Sequence, residues 1–299
     1  MGEATQFLGI RIIRNRQERK LWICQDSYIE KIAHKFHLTT RKPPNIPLST
    51  TYIQAIQTAK DETKATDQYI NQYQQKVGSI LFPTVITRPD AAKSANLLAQ
   101  KMMNPQPIDM NAVDHAISYL YGTRNQAIEY SATEKPIFQY ASDAAFADNP
   151  DRKSSDGYLL KLYNGPIDWT ARKQKTITTS TTEAELLAIS NASRQLLWWK
   201  RLFKALKFDP EETIRIQCDN QQTVDILIKD NSPYNSKLKH VDIHKLWLRQ
   251  EIQKKNIEIQ WVSTNQMPAD GFTKLLPYQK HELFMKSLNM VDISHMIQN

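Results

Sequence analysis

The chain has 299 residues, 40% of them hydrophobic, enough to bury a sizeable core and to build two domains. A net charge of +8 at pH 7 fits a polyanionic partner and fits a plain basic surface equally well, so it establishes neither. No run approaches the ~18 apolar residues of a membrane span, the N-terminus lacks a secretory pattern, and Cys24 and Cys218 sit in apolar runs without metal-ligand spacing, as buried free thiols of a reducing compartment would.

Phe7–Arg14 alternates apolar and polar residues loosely, Lys20–Cys24 is a second short apolar run, and the polar stretch between them predicts a hairpin. Asp26 or Ser27 is placed to cap a helix through Tyr28, Ile29, Ile32, Ala33 and Phe36, stopped by Pro43, Pro44 and Pro47. From Ser49 to about Gln72 the chain is polar and aperiodic, a surface connection or a weak helix. Tyr73–Val85 predicts a helix, and Pro89 suits the first turn of the next, through Ala95, Leu98 and Met102. Asp109 begins a third, ended by Gly122, and Tyr130–Pro136 reads as an interdomain linker.

After Pro136 the pattern changes. Ile137–Asp143 is a strand ending on an acid, and Gly157–Tyr163 is turned by Asn164-Gly165 into a third run, Ile167–Thr170. A hydroxyl-rich stretch, Thr178 to Thr182, then precedes an amphipathic helix, Thr181–Leu206, with Thr181 or Thr182 as its cap. Strand Ile214–Asp219, a short helix Gln221–Lys229, a longer one Lys239–Lys254, strand Ile257–Val262 and a helix from near Pro268 follow. This order predicts an α/β domain: a five-stranded mixed sheet flanked by helices.

Asp is depleted in strands, so Asp143 and Asp219 are either strand-end turn formers or functional groups. Taken singly, each is better read as a turn former. Glu185, early in the helix between them, and Asp270, at the start of the last helix, bring the number to four. Ligands of open α/β sheets gather at strand ends. Four acids converging there repel unless divalent cations neutralise them, and such clusters hold two Mg²⁺ ions roughly 3.5–4 Å apart. Mn²⁺ fits the same hard oxygen ligands.

Several spaced motifs are collinear with a known pattern. Tyr140-Ala141-Ser142-Asp143, Ser180-Thr181-Thr182-Glu183-Ala184-Glu185-Leu186-Leu187-Ala188, Cys218-Asp219-Asn220-Gln221 and Ala269-Asp270-Gly271-Phe272-Thr273-Lys274 resemble the ribonuclease H domain of Ty1/copia-type retrotransposon Pol polyproteins. So do Arg152–Tyr158, Lys239–Ile243 and Leu197-Trp198-Trp199. Upstream, Phe7-Leu8-Gly9-Ile10, Tyr28–Ile32, Val77–Leu81, Thr87-Arg88-Pro89-Asp90 and Tyr119–Thr123 resemble the end of the reverse transcriptase and its connection.

The resemblance implies a ribonuclease H-like domain over residues 136–278, preceded by the C-terminal part of reverse transcriptase (1–72, a thumb remnant with the hairpin) and a helical connection (73–135), and followed by a tail (279–299). It implies Asp143, Glu185, Asp219 and Asp270 as metal-binding catalytic carboxylates, two Mg²⁺ ions, and cleavage of the RNA strand of an RNA–DNA hybrid inside the cell, in the cytoplasm, a virus-like particle or the nucleus. Glu185 is preferred to Glu183 because the pattern puts the acid directly before Leu186-Leu187-Ala188; Glu183 is then a capping-turn acid. A polymerase motif of Tyr-x-Asp-Asp type, expected upstream of Phe7, is missing, so polymerisation is not expected of this chain, and association with the reverse-transcriptase portion is. No histidine precedes Asp270 in its loop, where many ribonucleases H carry one; the departure implies either slower product release or substitution by His240 from another segment, a residue that also reads as an ordinary helix-start histidine. Arg152, Lys153, Arg172, Lys173, Lys175, Asn220, Gln221 and His240 are the candidates for nucleic-acid contact, the basic ones through phosphates. The rival reading is a catalytically silent remnant that only binds nucleic acid.

Overall fold

The computed structural model describes residues 2–58, 63–132, 138–208, 214–229 and 239–297. A short strand β1 (Gln6–Phe7) precedes the expected hairpin, β2 (Ile10–Asn15) and β3 (Lys20–Cys24). Helices α1 (Asp26–Lys35), α2 (Tyr52–Thr58), α3 (Asp67–Ile86), α4 (Ala92–Ala99) and α5 (Pro107–Gly122) lead to β4 (Gln126–Ser131). Strands β5 (Gln139–Ala145), β6 (Ser155–Leu162) and β7 (Gly165–Lys173) run into the long helix α6 (Thr181–Ala205). Then come β8 (Arg215–Cys218), α7 (Gln221–Ile228), α8 (Lys239–Gln253), β9 (Glu258–Trp261), the one-turn α9 (Asp270–Thr273), α10 (Tyr278–Ser287) and β10 (Met290–Asp292). No helix among the described residues is long and apolar enough to cross a membrane.

The chain forms two compact units: Met1–Thr133 with Asn164–Pro166 and Leu275–Asn299, and Glu134–Tyr163 with Ile167–Lys274. In the first, five antiparallel strands order as β1-β2-β3-β4-β10. Its helical core gathers Ile29, Ile32, Val77, Ile80, Leu98, Val113, Ile117 and Leu120. The same unit holds a fully buried ion pair. Arg88 donates two hydrogen bonds to Asp90, at 2.9 and 2.7 Å, and reaches the Thr123 hydroxyl at 2.7 Å. The Tyr119 hydroxyl donates to Asp90 at 2.7 Å and lies 2.8 Å from His281 Nε2. The Arg-Pro-Asp of the sequence motif is therefore a packed charge centre, a use that the pattern alone does not disclose.

In the second unit the order is β7-β6-β5-β8-β9. β5 is antiparallel to β6 but parallel to β8, and β8 is parallel to β9, so the sheet is mixed as expected. Helix α6 buries Leu186, Ile189, Ala192 and Leu196 in a core with Phe138, Leu160, Ile216 and Ile259. Both cysteines are free and buried.

Local expectations shift at the element ends. Gln25, not Asp26 or Ser27, precedes α1, because the Asp26 carboxylate is taken by Arg11 at 2.7–3.0 Å. Ser180, one residue before the expected threonines, caps α6 by accepting the Glu183 N–H at 3.1 Å. Between β6 and β7 the positive φ values fall on Tyr163 (53°) and Asn164 (65°), so the tight turn is centred one residue before the Asn-Gly pair. Tyr130 and Ser131, read as the start of a linker, pair in β4 with Leu21 and Lys20; residues 133–137 lie outside the described ones. The stretch 279–299, read as a tail, carries most of α10 and all of β10, which pairs with β4.

The charge centre sets an expected order of mutational cost. Asp90→Asn leaves the Arg88 guanidinium buried without a counter-charge and should cost about 3–5 kcal/mol; Tyr119→Phe removes one hydrogen bond and should cost about 1–2 kcal/mol. Urea denaturation that ranks Tyr119→Phe as the worse variant would contradict this account.

Candidate active site

Strand parity assembles the acids. Ala141 of β5 is in register with Gln217 of β8; Asp143 and Asp219 lie two residues further along each, on a common face and at the same end of the sheet. Glu185 is in the second turn of α6, which packs on β5, and its Oε1 accepts the Ala144 N–H at 3.1 Å. The opposite oxygen, Oε2, is buried without a hydrogen-bond partner among the described residues. Glu185 and Asp219 carboxylate oxygens, with Cys218 Sγ, lie within 4.8 Å of one another. Asp270 opens α9 and is ion-paired with Lys274. Lys274 Nζ also stands 3.8 Å from Asp143 Oδ2, the oxygen that accepts the Thr273 hydroxyl proton.

Asp143 and Glu185 are almost wholly buried, at 1% and 4% exposure. Burial pushes the Asp143 carboxyl up to about 6; the Lys274 ammonium and the Thr273 hydroxyl pull it down, and the Asp219 and Asp270 charges push it further up. Burial, with Asp143 and Asp219 beside it, holds Glu185 well above the usual carboxylate range. The Lys274 ammonium loses some hydration but is held above its ordinary value by Asp143 and Asp270. The Cys218 thiol is pushed far up by burial and by Glu185, and so stays protonated.

A close approach makes this arrangement fit. Gly157 lies opposite Asp143 in the β5–β6 ladder. A Cβ there would meet Phe272 Cβ at 2.6 Å and the Thr170 carbonyl at 3.1 Å. Only glycine lets α9 sit against the strand and present Asp270, Thr273 and Lys274 to Asp143.

Of the four carboxylates picked out from the sequence, Glu185 and Asp219 come within 4.8 Å of one another and Asp143 and Asp270 share the Lys274 ammonium, while Glu183 accepts the Thr179 N–H and hydroxyl, each at 2.7 Å. The nucleic-acid candidates are scattered. Arg172 is engaged by the buried Asp156 at 2.8–3.1 Å, and Asp151 is shared by Lys173 at 3.1 Å and Lys153 at 3.9 Å. Arg152 and Lys175 are exposed. Asn220 caps α7 through Thr223, and Gln221 bonds Asp225 on the surface. His240 lies in α8, and its side chain is outside the described residues. Sequence reasoning passed over Thr273, Lys274 and Gly157 as site residues; the i,i+4 spacing of Asp270 and Lys274 was the available signal.

No family model matches the chain. It is 33% identical over 296 residues to the "Retrovirus-related Pol polyprotein from transposon TNT 1-94" of Nicotiana tabacum, covering 97% of this chain and 22% of that protein. It is 29% identical over 288 residues to the corresponding polyprotein from transposon RE2 of Arabidopsis thaliana, covering 96% and 19%. The chain thus spans about a fifth of the length of these curated relatives. Among solved structures it is similar to ribonuclease H1 of Halobacterium salinarum NRC-1, with 15% identity, a TM-score of 0.33, and coverage of 45% of this chain and 92% of that one.

The strand order, its mixed directions and the flanking helices define the second unit as a ribonuclease H-like domain. The chain belongs to the Ty1/copia-type retrotransposon Pol polyproteins.

Two outcomes follow from this geometry. Folded Asp143 keeps its proton up to about pH 6 whereas an unfolded aspartate releases it near 3.8, so between these values the folded state binds more protons and its stability falls as pH rises. In metal-free buffer, Asp143→Asn should therefore gain in Tm relative to the wild type from about pH 4 to pH 6; a constant difference would show that Asp143 is not perturbed. Gly157→Ala should cost about 1–3 kcal/mol by overpacking against Phe272, read as a lower denaturation midpoint.

Proposed function

We propose that the second unit is a ribonuclease H that hydrolyses the RNA strand of RNA–DNA hybrids with two divalent cations, Mg²⁺ or Mn²⁺, held by Asp143, Glu185, Asp219 and Asp270. The observation that carries this reading is the buried Glu185, one oxygen of which has no hydrogen-bond partner among the described residues, within 4.8 Å of Asp219 and beside an Asp143–Asp270 pair that shares the Lys274 ammonium. A tethered ammonium standing among these oxygens marks where a cation is favourable, and an all-carboxylate donor set suits hard dications.

When bound, such ions lower the pKa of a coordinated water and stabilise the leaving oxygen of a phosphodiester. The residues supply the rest. Asp143, near the end of β5, and Asp219, just past the end of the adjacent parallel β8, would each offer a carboxylate to the ions. The Ala144 N–H holds Glu185 by Oε1 and leaves Oε2 buried without a hydrogen-bond partner among the described residues. Asp270, at the start of the short α9, would add its carboxylate from a different element. Hydrolysis by water needs no covalent enzyme intermediate, and the Cys218 thiol beside the acids is held protonated by burial. Hybrid is recognised across the shallow minor groove by its 2′-hydroxyls, with Arg152, Lys153, Lys173 and Lys175 contacting phosphates; Arg172 instead braces β7 to Asp156.

The test is a labelled RNA–DNA hybrid incubated with the full chain and Mg²⁺ or Mn²⁺. Cutting confined to the RNA strand is expected, with Asp143→Asn, Asp219→Asn and Glu185→Gln each slower by on the order of a thousandfold. Glu183→Gln should lose only about 1 kcal/mol of helix-cap stability and still cut. A folded wild-type chain that binds hybrid but cuts with neither metal would make it a silent nucleic-acid binder.

A further inference from the structure

Lys274 has a place in the site that the carboxylate pattern does not explain. Its ammonium is hydrogen-bonded to Asp270 and stands 3.8 Å from Asp143 Oδ2. Its side chain is 42% exposed, against 1% for Asp143 and 21% for Asp270, so it reaches in from the rim. The Thr273 hydroxyl donates to the same Asp143 oxygen, leaving Glu185 Oε2 as the bare, buried acceptor. In a cluster of like charges the most costly state is the one with no cation at all. A lysine suits a reversible role there: its compact ammonium rides on four rotatable carbons and can return to water, whereas a guanidinium is held by its planar fork.

We propose that Lys274 is a tethered counter-ion that neutralises the acidic cluster in the metal-free protein and withdraws toward solvent when a divalent cation binds, thereby setting the metal affinity. This rests on the metal-dependent reading above. Lys274 is accordingly a positioning residue: it keeps Asp143 and Asp270 together while the site is empty, and it competes with the ion for their oxygens. The chain gains a domain that stays folded without metal and binds it more weakly than the four acids alone would.

The experiment measures binding rather than cutting. Full-length wild type, Lys274→Met and Lys274→Arg are titrated calorimetrically with MnCl₂ and MgCl₂, and their Tm is recorded in EDTA and in saturating metal. Lys274→Met should have a lower Tm in EDTA, a larger metal-induced rise in Tm, and a Kd tighter by about two- to fivefold, the span of a partly exposed ion pair. Lys274→Arg, with the charge retained, should keep a Tm in EDTA close to wild type. Lys274→Gln serves as the neutral variant if Lys274→Met does not fold. Wild type and neutral variant with the same Kd, or weaker metal binding in the variant, would overturn the counter-ion role while leaving the nuclease reading intact. A folded wild type that binds neither metal would overturn both.

Discussion

The second unit is governed by one electrostatic problem, that of bringing several carboxylates together at the end of β5 where two of them are almost out of water. Coulomb repulsion grows as the effective dielectric falls, so acids that would tolerate one another on a surface cannot all ionise there unaided. The fold answers with what is at hand: the Ala144 N–H on Glu185, the Thr273 hydroxyl and the Lys274 ammonium on Asp143, and carboxyls at Asp143 and Glu185 that hold protons longer than usual. The first unit faces a similar problem at Asp90 and solves it differently, with a bidentate arginine, a tyrosine hydroxyl and complete burial. An arginine fork makes a permanent centre; a lysine at the rim makes a replaceable one.

The architecture was legible because it rests on local patterns. Alternation in the strands, the amphipathic period of α6 and the switch from antiparallel hairpin to strand–helix alternation all survive into the fold, since each reports which face an element buries. The acids were legible for the opposite reason. Asp143 and Asp219 violate strand preference, and a residue that breaks a local rule at a strand end stands out against its neighbours in the chain.

What was not legible depends on pairing between segments far apart. β4 reads as a polar, linker-like stretch because it is short and its partners are a hairpin over one hundred residues earlier, through Lys20–Ser131, and β10, through Met290–Ile128. Neither pairing leaves a periodic trace in six residues. The site's supporting residues escape for a related reason: Gly157 is identifiable only once Phe272 is known to pack against it, and Arg172 looks like a free phosphate contact until Asp156 is found beside it. The cap of α6 moved by one residue because Ser180 has the extended backbone a cap needs, while the Thr182 hydroxyl is taken by Gln222.

The two glutamates of α6 show how little sequence distance is needed to separate structure from chemistry. Residues two apart on a helix are turned by about 200°, so Glu183 and Glu185 cannot face the same way. Glu183, at the third helical position, folds back onto Thr179 and satisfies the amide ahead of the cap. Glu185 is carried round to the sheet, where only the Ala144 amide meets it and one oxygen remains bare. Each glutamate is held through one oxygen and keeps the other buried without a hydrogen-bond partner among the described residues; what separates them is their company, since Glu185, not Glu183, comes within 4.8 Å of Asp219. The register of α6 on β5 thus separates the two acids, and it would take a shift of two residues to carry Glu183 to the place of Glu185.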